Sequence, residues 1–209
     1  MKKLVLASAS PRRRELLEQI GLKPEKIAAQ TDEETGLLQP DEMVRELAHR
    51  KCLAVAAYLV NEADVHKEQY VIGADTVVVH RGQILGKPKN SAEAETMLRS
   101  LQGDTHQVFT GVCVLHLDFK KSIPAEDAEH MRLFHVCTEV TVNPMSEEEI
   151  QRYVDSGEPL DKAGAYGIQG KFARHISGIC GDYTNVVGLP VSAVYNALQD
   201  LQYYDQPIS

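Results

Sequence analysis

Short apolar runs along the chain are interleaved with longer segments in which apolar residues recur every three or four positions. Residues 3 to 7, KLVLA, predict a buried strand. In SASPRRRELLEQIGL, Leu16, Leu17, Ile20 and Leu22 predict the apolar face of a helix. Ser10 suits its N-cap and Pro11 its first helical position. IAAQTDEETG predicts a short strand that breaks into an acidic loop. Val44, Leu47, Cys52, Val55 and Leu59 predict a helix over residues 41–61. YVIGADTVVVHRGQILGKP predicts a strand, a break at Gly-Ala-Asp-Thr and a hairpin turning at Arg81-Gly82. Ser91 is placed to cap the helix AEAETMLRSL.

The second half begins with a β-rich run, residues 105 to 117. A charged, polar hairpin loop over 118–131 follows, and the chain returns through the strand LFHVCTEVTV. MSEEEIQRYVDSG predicts a helix opened by a capping box, Ser146 with Glu149 three residues on. Then come the glycine-rich DKAGAYGIQG, a short strand near 172–177, a turn, VVGLP, and a last helix over about 190–202. Early alternation of helix and strand, followed by hairpins, predicts an α/β protein with a mixed sheet. With no repeat and no linker, the expectation is one domain over residues 1–209, its two lobes sharing one sheet, with a loose tail at 203–209.

Composition narrows the function. The 209 residues are 43% hydrophobic and 25% charged, which excludes a disordered or collagen-like chain. A net charge of −8 argues against a nucleic-acid partner. No apolar run is long enough to span a membrane, and the LVLA of the N-terminus is too short for a signal peptide. The four cysteines have no CxxC pair. They read as buried or partly buried thiols of a cytoplasmic protein, not as a disulfide or zinc framework.

The residues that could carry chemistry each admit two readings. Arg12, Arg13 and Arg14 crowd the first turn of a helix, whose dipole already makes that end positive. They are either a solvated basic surface, with Arg14 the most exposed, or an anion site in which helix N–H groups and guanidinium forks hold phosphate. Asp75 either stabilises a turn or places a carboxylate at a strand end facing a cleft. Glu33 and Glu34 are either a solvated acidic loop or, with Asp75, oxygen ligands for Mg²⁺. Lys51 and Lys87 read singly as surface lysines. In DKAGAYGIQG, bracketed by Asp161, Lys162 and Gln169, the glycines mark either a structural turn with Tyr166 and Ile168 packed inward or a close approach to a ligand. There, Gln169 could read a base edge with its donor and acceptor. The histidines form no metal pattern and read as surface or satisfied core residues. Ser8 has no GxSxG context for a nucleophile.

Taken together and in order, LASASPRR, IGADT, LGKP, FTGV, SGEPLDKAGAYGIQG and GDYTNVVGLP resemble the Maf family of nucleotide pyrophosphatases nearly end to end. The resemblance implies an elongated, curved mixed sheet with flanking helices and two lobes around a groove, related to the inosine-triphosphate pyrophosphatase architecture. It implies hydrolysis of a nucleoside triphosphate between the α and β phosphates with Mg²⁺, Mn²⁺ or Co²⁺, in a cytoplasmic protein that is often a homodimer. Ser8, Arg13, Lys51 and Lys87 would hold phosphate, Asp75 would accept the proton, and Glu33 with Asp75 would serve the metal. Arg12, Thr76 and Gln169 match the branch acting on dTTP and UTP. Two departures stand out: Gly86 replaces an acidic residue of many relatives, and Lys171-Phe172-Ala173 replaces further glycine, which predicts a stiffer loop. A purine-preferring enzyme acting on ITP or XTP, and a non-catalytic nucleotide-binding regulator of cell division, are the alternatives.

Overall fold

A computed structural model of the chain describes residues 2–29, 31–32, 36, 39–62, 68–117 and 129–204. The strands are β1 (Lys3–Ala7), β2 (Glu25–Lys26), β3 (Gln69–His80), β4 (Gln83–Leu85), β5 (Thr105–Leu117), β6 (Met131–Val142) and β7 (Ile176–Cys180). The helices are α1 (Pro11–Gln19), α2 (Pro40–Glu62), α3 (Ser91–Leu101), α4 (Glu147–Val154), α5 (Tyr183–Val187) and α6 (Val191–Asp200). The strands form a seven-stranded mixed sheet in the order β2-β1-β3-β5-β6-β7, with β4 paired to β3. β1 runs parallel to β2 and β3, whereas the β3–β4 and β6–β7 pairs are antiparallel. The protein is therefore α/β with a mixed sheet, as the pattern predicted.

Two compact units divide the chain: residues 1–75, 111–135 and 188–209, and residues 76–110 and 136–187. In the first, the parallel register sets Val5 against Val71 and Leu6 against Ile72. Both faces are buried over residues 4–7 of β1 and 69–74 of β3, which is why KLVLA and YVI read as short apolar runs. On one face, Val5, Ala7, Val71, Cys113 and Leu115 pack against Ala48, Cys52, Val55 and Leu59 of α2. The helix sits very close to the sheet. A Cβ on Gly73 would come within 2.4 Å of the Ala48 carbonyl oxygen, and one on Gly111 within 2.2 Å of the Val44 carbonyl. Tyr70, fully buried, donates its hydroxyl to the Leu201 carbonyl at 2.9 Å and stacks on His116.

In the second unit, the β3–β4 hairpin turns at Arg81-Gly82, both at positive φ (49° and 77°). That is the requirement of a two-residue type I′ turn. The capping box of α4 forms as predicted, with Ser146 and Glu149 bonded reciprocally. Fully buried Phe172 gathers Tyr153, Tyr166 and His175 around it, with ring centroids 4.9–5.5 Å away.

Several expectations need correction. β3 does not break at Gly-Ala-Asp-Thr: it runs unbroken from Gln69 to His80. Gly73 is there to admit α2, not to make a turn. The first edge strand lies earlier than IAAQ, because the Ile27 N–H already closes on the Leu6 carbonyl. Asn90, not Ser91, caps α3, accepting the Glu93 N–H at 2.9 Å. Ile20 falls past the end of α1 and is 37% exposed. The strand expected near 172–177 begins at Ile176, since burial of Phe172 coils residues 171–175 into a 3₁₀ turn. The short α5 was not anticipated. Cys52 and Cys113 are buried thiols, but Cys137 and Cys180 are exposed. Tyr203 and Tyr204 of the expected loose tail pack edge to face; residues 205–209, like residues 118–128 of the expected loop, lie outside the described residues.

Candidate functional site

β1 ends at Ala7, which pairs in register with Gly73 of the parallel strand β3. Ser8 thus lies just past the carboxyl end of β1, the kind of position where ligands bind in α/β sheets, and Asp75 lies two residues past Gly73 on the neighbouring parallel strand. Ser8 is buried at 5% exposure. Its hydroxyl oxygen accepts the Ser10 N–H at 3.2 Å and an Arg13 guanidinium N–H at 3.0 Å. Arg13 Nε also donates to the Gly188 carbonyl at 2.8 Å, so the guanidinium is braced from two sides. Ser10 occupies the N-cap without a side-chain cap bond, and the first turn of α1 carries no acidic residue. Two of the three arginines are half-buried. Arg14 is exposed and pairs along the helix with Glu18 at 2.7 Å. The arrangement suits an anion: a buried hydroxyl, a fixed guanidinium and a helix N-terminus converge at one strand end.

Lys51 and Asp75 are brought together by the close approach of α2. Lys51 Nζ lies 2.6 Å from Asp75 Oδ1, with side chains 11% and 14% exposed. The lysine that read singly as a surface residue is thus buried against the sheet, held there because Gly73 and Gly111 remove the side chains that would lift the helix. The aspartate stands within a strand, not at its end. Ser8, Arg13, Lys51 and Asp75 all belong to the first unit.

Thr76, the next residue on β3, turns to other partners in the second unit. Its hydroxyl lies 2.9 Å from that of Thr110, which is fully buried. Thr110 donates in turn to the Asn185 carbonyl at 3.0 Å. Thr110 and Asn185 were missed as individual residues, although FTGV and YTNVVGLP contain them; a buried threonine and asparagine carry no periodic signal of their own.

The glycine-rich stretch is a chain of tight 3₁₀ turns tied down by Glu158. That carboxylate accepts the Tyr153 hydroxyl at 3.0 Å and the Lys171 N–H at 3.1 Å. Gln169 stands exposed between these anchors, while Tyr166 and Ile168 are buried. The structural-turn reading holds here, with Gln169 the polar side chain presented outward. Lys162 donates to the Glu158 carbonyl and pairs with Asp161. Lys87 is exposed beyond β4. Beneath the loop, His106 Nε2 meets the Tyr166 hydroxyl at 2.8 Å. Its Nδ1 is buried without a partner among the described residues, a departure from the expected satisfied histidines. Burial, aided by the charge of His80, pushes the His106 imidazole down to about 4. Burial likewise raises the Tyr166 phenol above its ordinary range.

Glu33 and Glu34 lie outside the described residues. Among the described residues, no three His, Cys, Asp or Glu side chains converge as a cage. The donor chemistry still fits a hard divalent ion, because Mg²⁺ is held by one or two carboxylates and the substrate's own phosphates. Asp75 is a carboxylate at such a place. No described helix is long and apolar enough to cross a membrane.

Comparison with known proteins gives these residues a context. The family model described as Maf-like protein matches residues 3–201. A protein of Agathobacter rectalis named dTTP/UTP pyrophosphatase is 46% identical over 207 residues, covering 96% of this chain and 98% of the relative. A protein of the same name from Pelotomaculum thermopropionicum is 48% identical over 204 residues, 97% and 98% of the two chains. A third, from Bacillus mycoides, is 42% identical over 210 residues, 100% and 99%. Among solved structures, a nucleoside-triphosphatase described as a dITP/XTP pyrophosphatase from Mycobacterium abscessus covers 96% of this chain and 94% of its own, at 9% identity. Its TM-score is 0.36.

Proposed function

This chain belongs to the Maf family, and from that premise we propose that it hydrolyses dTTP and UTP to the nucleoside monophosphate and pyrophosphate. The near full-length identity to relatives named for that activity carries the reading. The buried Lys51–Asp75 pair beside Ser8 and Arg13 supports it chemically. Relatives with this name do not favour the purine-preferring or non-catalytic alternatives.

Phosphoryl transfer asks a protein mainly for positioning and charge. Ser8 and Arg13 hold phosphate oxygens, and Lys51 and Lys87 neutralise further charge. Water attacks the α-phosphorus, the bond from that phosphorus to the bridging oxygen breaks, and pyrophosphate leaves. Asp75 accepts the proton that the attacking water gives up. Lys51 orients the Asp75 carboxylate by direct pairing. Asp75 and Glu33 would hold a divalent ion (Mg²⁺, Mn²⁺ or Co²⁺), which supplies charge stabilisation to the phosphates and acidity to bound water. Arg12, Thr76 and Gln169 set the base preference. Homodimer formation and a cytoplasmic location rest on the family resemblance.

The test is pyrophosphate release from dTTP, UTP, ITP, GTP and 7-methyl-GTP with each of the three metals. Fast release from dTTP and UTP is expected. Preference for ITP, or tight binding without turnover, would refute the reading.

A further inference from the structure

The buried hydroxyls behind Thr76 have a direction. A threonine hydroxyl has one proton to donate and two lone pairs to accept with. Thr110 Oγ1 lies 3.0 Å from the Asn185 carbonyl oxygen, which can only accept. The Thr110 proton therefore goes to Asn185. What Thr110 offers Thr76, 2.9 Å away, is a lone pair, so Thr76 must be the donor of that bond.

The Asn185 carbonyl is itself held in place. The Asn185 side-chain amide donates to the Val108 carbonyl at 3.0 Å and to Thr138 Oγ1 at 2.9 Å. Thr138 Oγ1 also accepts the Asp182 N–H at 3.1 Å and donates to the Asp182 carbonyl at 3.2 Å, so both its lone pairs and its proton are used. Asp182 Oδ1 accepts the Thr184 N–H at 2.7 Å at the start of α5. Asn185, Thr110 and Thr138 are each at most 1% exposed. Nothing in this arrangement lets the Thr110 proton turn toward Thr76 without stranding a buried carbonyl, a loss larger than the bond gained.

We propose that Thr110 is a positioning residue for base selection. By taking the Thr76 proton inward, it makes Thr76 an acceptor toward its other partners and toward a bound base. Uracil and thymine present an N3–H donor at the centre of their pairing edge. Cytosine presents a bare, accepting N3 there. The relay thus selects uracil and thymine nucleotides against cytosine nucleotides. The inference rests on the reading of Thr76 as a base-preference residue.

The experiment measures kcat/KM for UTP against CTP, and for dTTP against dCTP, by pyrophosphate release. Thr110→Val keeps the shape and removes the relay. The CTP-to-UTP ratio should rise about tenfold, the scale of one hydrogen bond, with the change in KM more than in kcat. Thr110→Ser restores the hydroxyl and should restore the original ratio. Thr110→Cys, whose thiol is a weak donor and a weak acceptor, serves if the valine variant does not fold, and should raise the ratio likewise. A folded Thr110→Val or Thr110→Cys protein with the original ratio, while Thr76→Val shifts it, would overturn the relay and leave the reading of Thr76 standing. An unchanged ratio in Thr76→Val would overturn both.

Discussion

Lys51 on α2 and Asp75 on β3 form an ion pair of 2.6 Å in which neither side chain is more than 14% exposed. Twenty-four positions separate them along the chain, and the pairing depends on how closely α2 can approach the sheet. An Asp75→Asn variant removes the proposed proton acceptor while keeping the shape of the side chain. Its kcat should fall by about 10²–10⁴, with KM for dTTP changing far less. Thermal melting of the same protein checks that the loss is chemical and not a failure to fold.

The glycines beneath α2 make a prediction about stability. Gly111→Ala would drive a methyl group to within 2.2 Å of the Val44 carbonyl, and Gly73→Ala to within 2.4 Å of the Ala48 carbonyl oxygen. Both contacts are with backbone, so relief requires the helix to move. Each variant should lose about 1–3 kcal/mol or more, measured by urea unfolding. Activity should fall as well, because moving α2 carries Lys51 away from Asp75.

Much of this was legible in the sequence, and the main failures came from long-range contacts and from buried polar residues without periodicity. KLVLA, the near-helical spacing of apolar residues in α2 and the Ser146–Glu149 capping box each announce an element through local chemistry, and each formed. The Gly-Ala-Asp-Thr stretch misled because a glycine in a strand looks like a break, whereas Gly73 is required by a helix more than twenty residues earlier. The same long-range contact hid the burial of Lys51. Ser8 with Arg13 was readable because strand, small residues, proline and arginines sit together in sequence. Thr110 and Asn185 were not, because a buried hydroxyl relay has no periodicity.

Arg13 donates to Ser8 and to the Gly188 carbonyl at once, which uses the planar fork of a guanidinium. Lysine keeps the charge but cannot reproduce that fork. Arg13→Lys should raise KM for dTTP about tenfold or more, equivalent to about 1.4 kcal/mol, with a smaller change in kcat. Steady-state kinetics at fixed metal concentration separates the two.

Base preference should respond to the loop residue held outward by the Glu158 anchors. Gln169→Ala removes an exposed side chain, so the fold should be unaffected. The ratio of dTTP to GTP turnover should fall, while turnover of dTTP itself drops less. An unchanged nucleotide profile would remove Gln169 from base selection.

His106 makes stability depend on pH. Its ordinary value is 6.5 and burial lowers it to about 4 in the folded protein. Between these values the unfolded chain binds the proton and the folded protein does not. Stability is therefore full above pH 6.5 and declines as pH falls toward 4, by at most about 3 kcal/mol. His80 adds to the lowering and Asp104 opposes it. Asp104 is held low by hydrogen bonds from His80, the Thr105 N–H and Arg81, so its own loss of stability comes below the ordinary carboxylate range. Urea unfolding at pH 7, 5.5 and 4.5 should show the decline, and His106→Gln should flatten it.

The most direct test of the central claim is a single-turnover hydrolysis of dTTP in water enriched in ¹⁸O, followed by mass spectrometry of both products. Attack at the α-phosphorus predicts one ¹⁸O in dTMP and none in pyrophosphate, with the rate of label incorporation reduced in Asp75→Asn. Label in pyrophosphate, or incorporation at the normal rate in folded Asp75→Asn, would contradict the account.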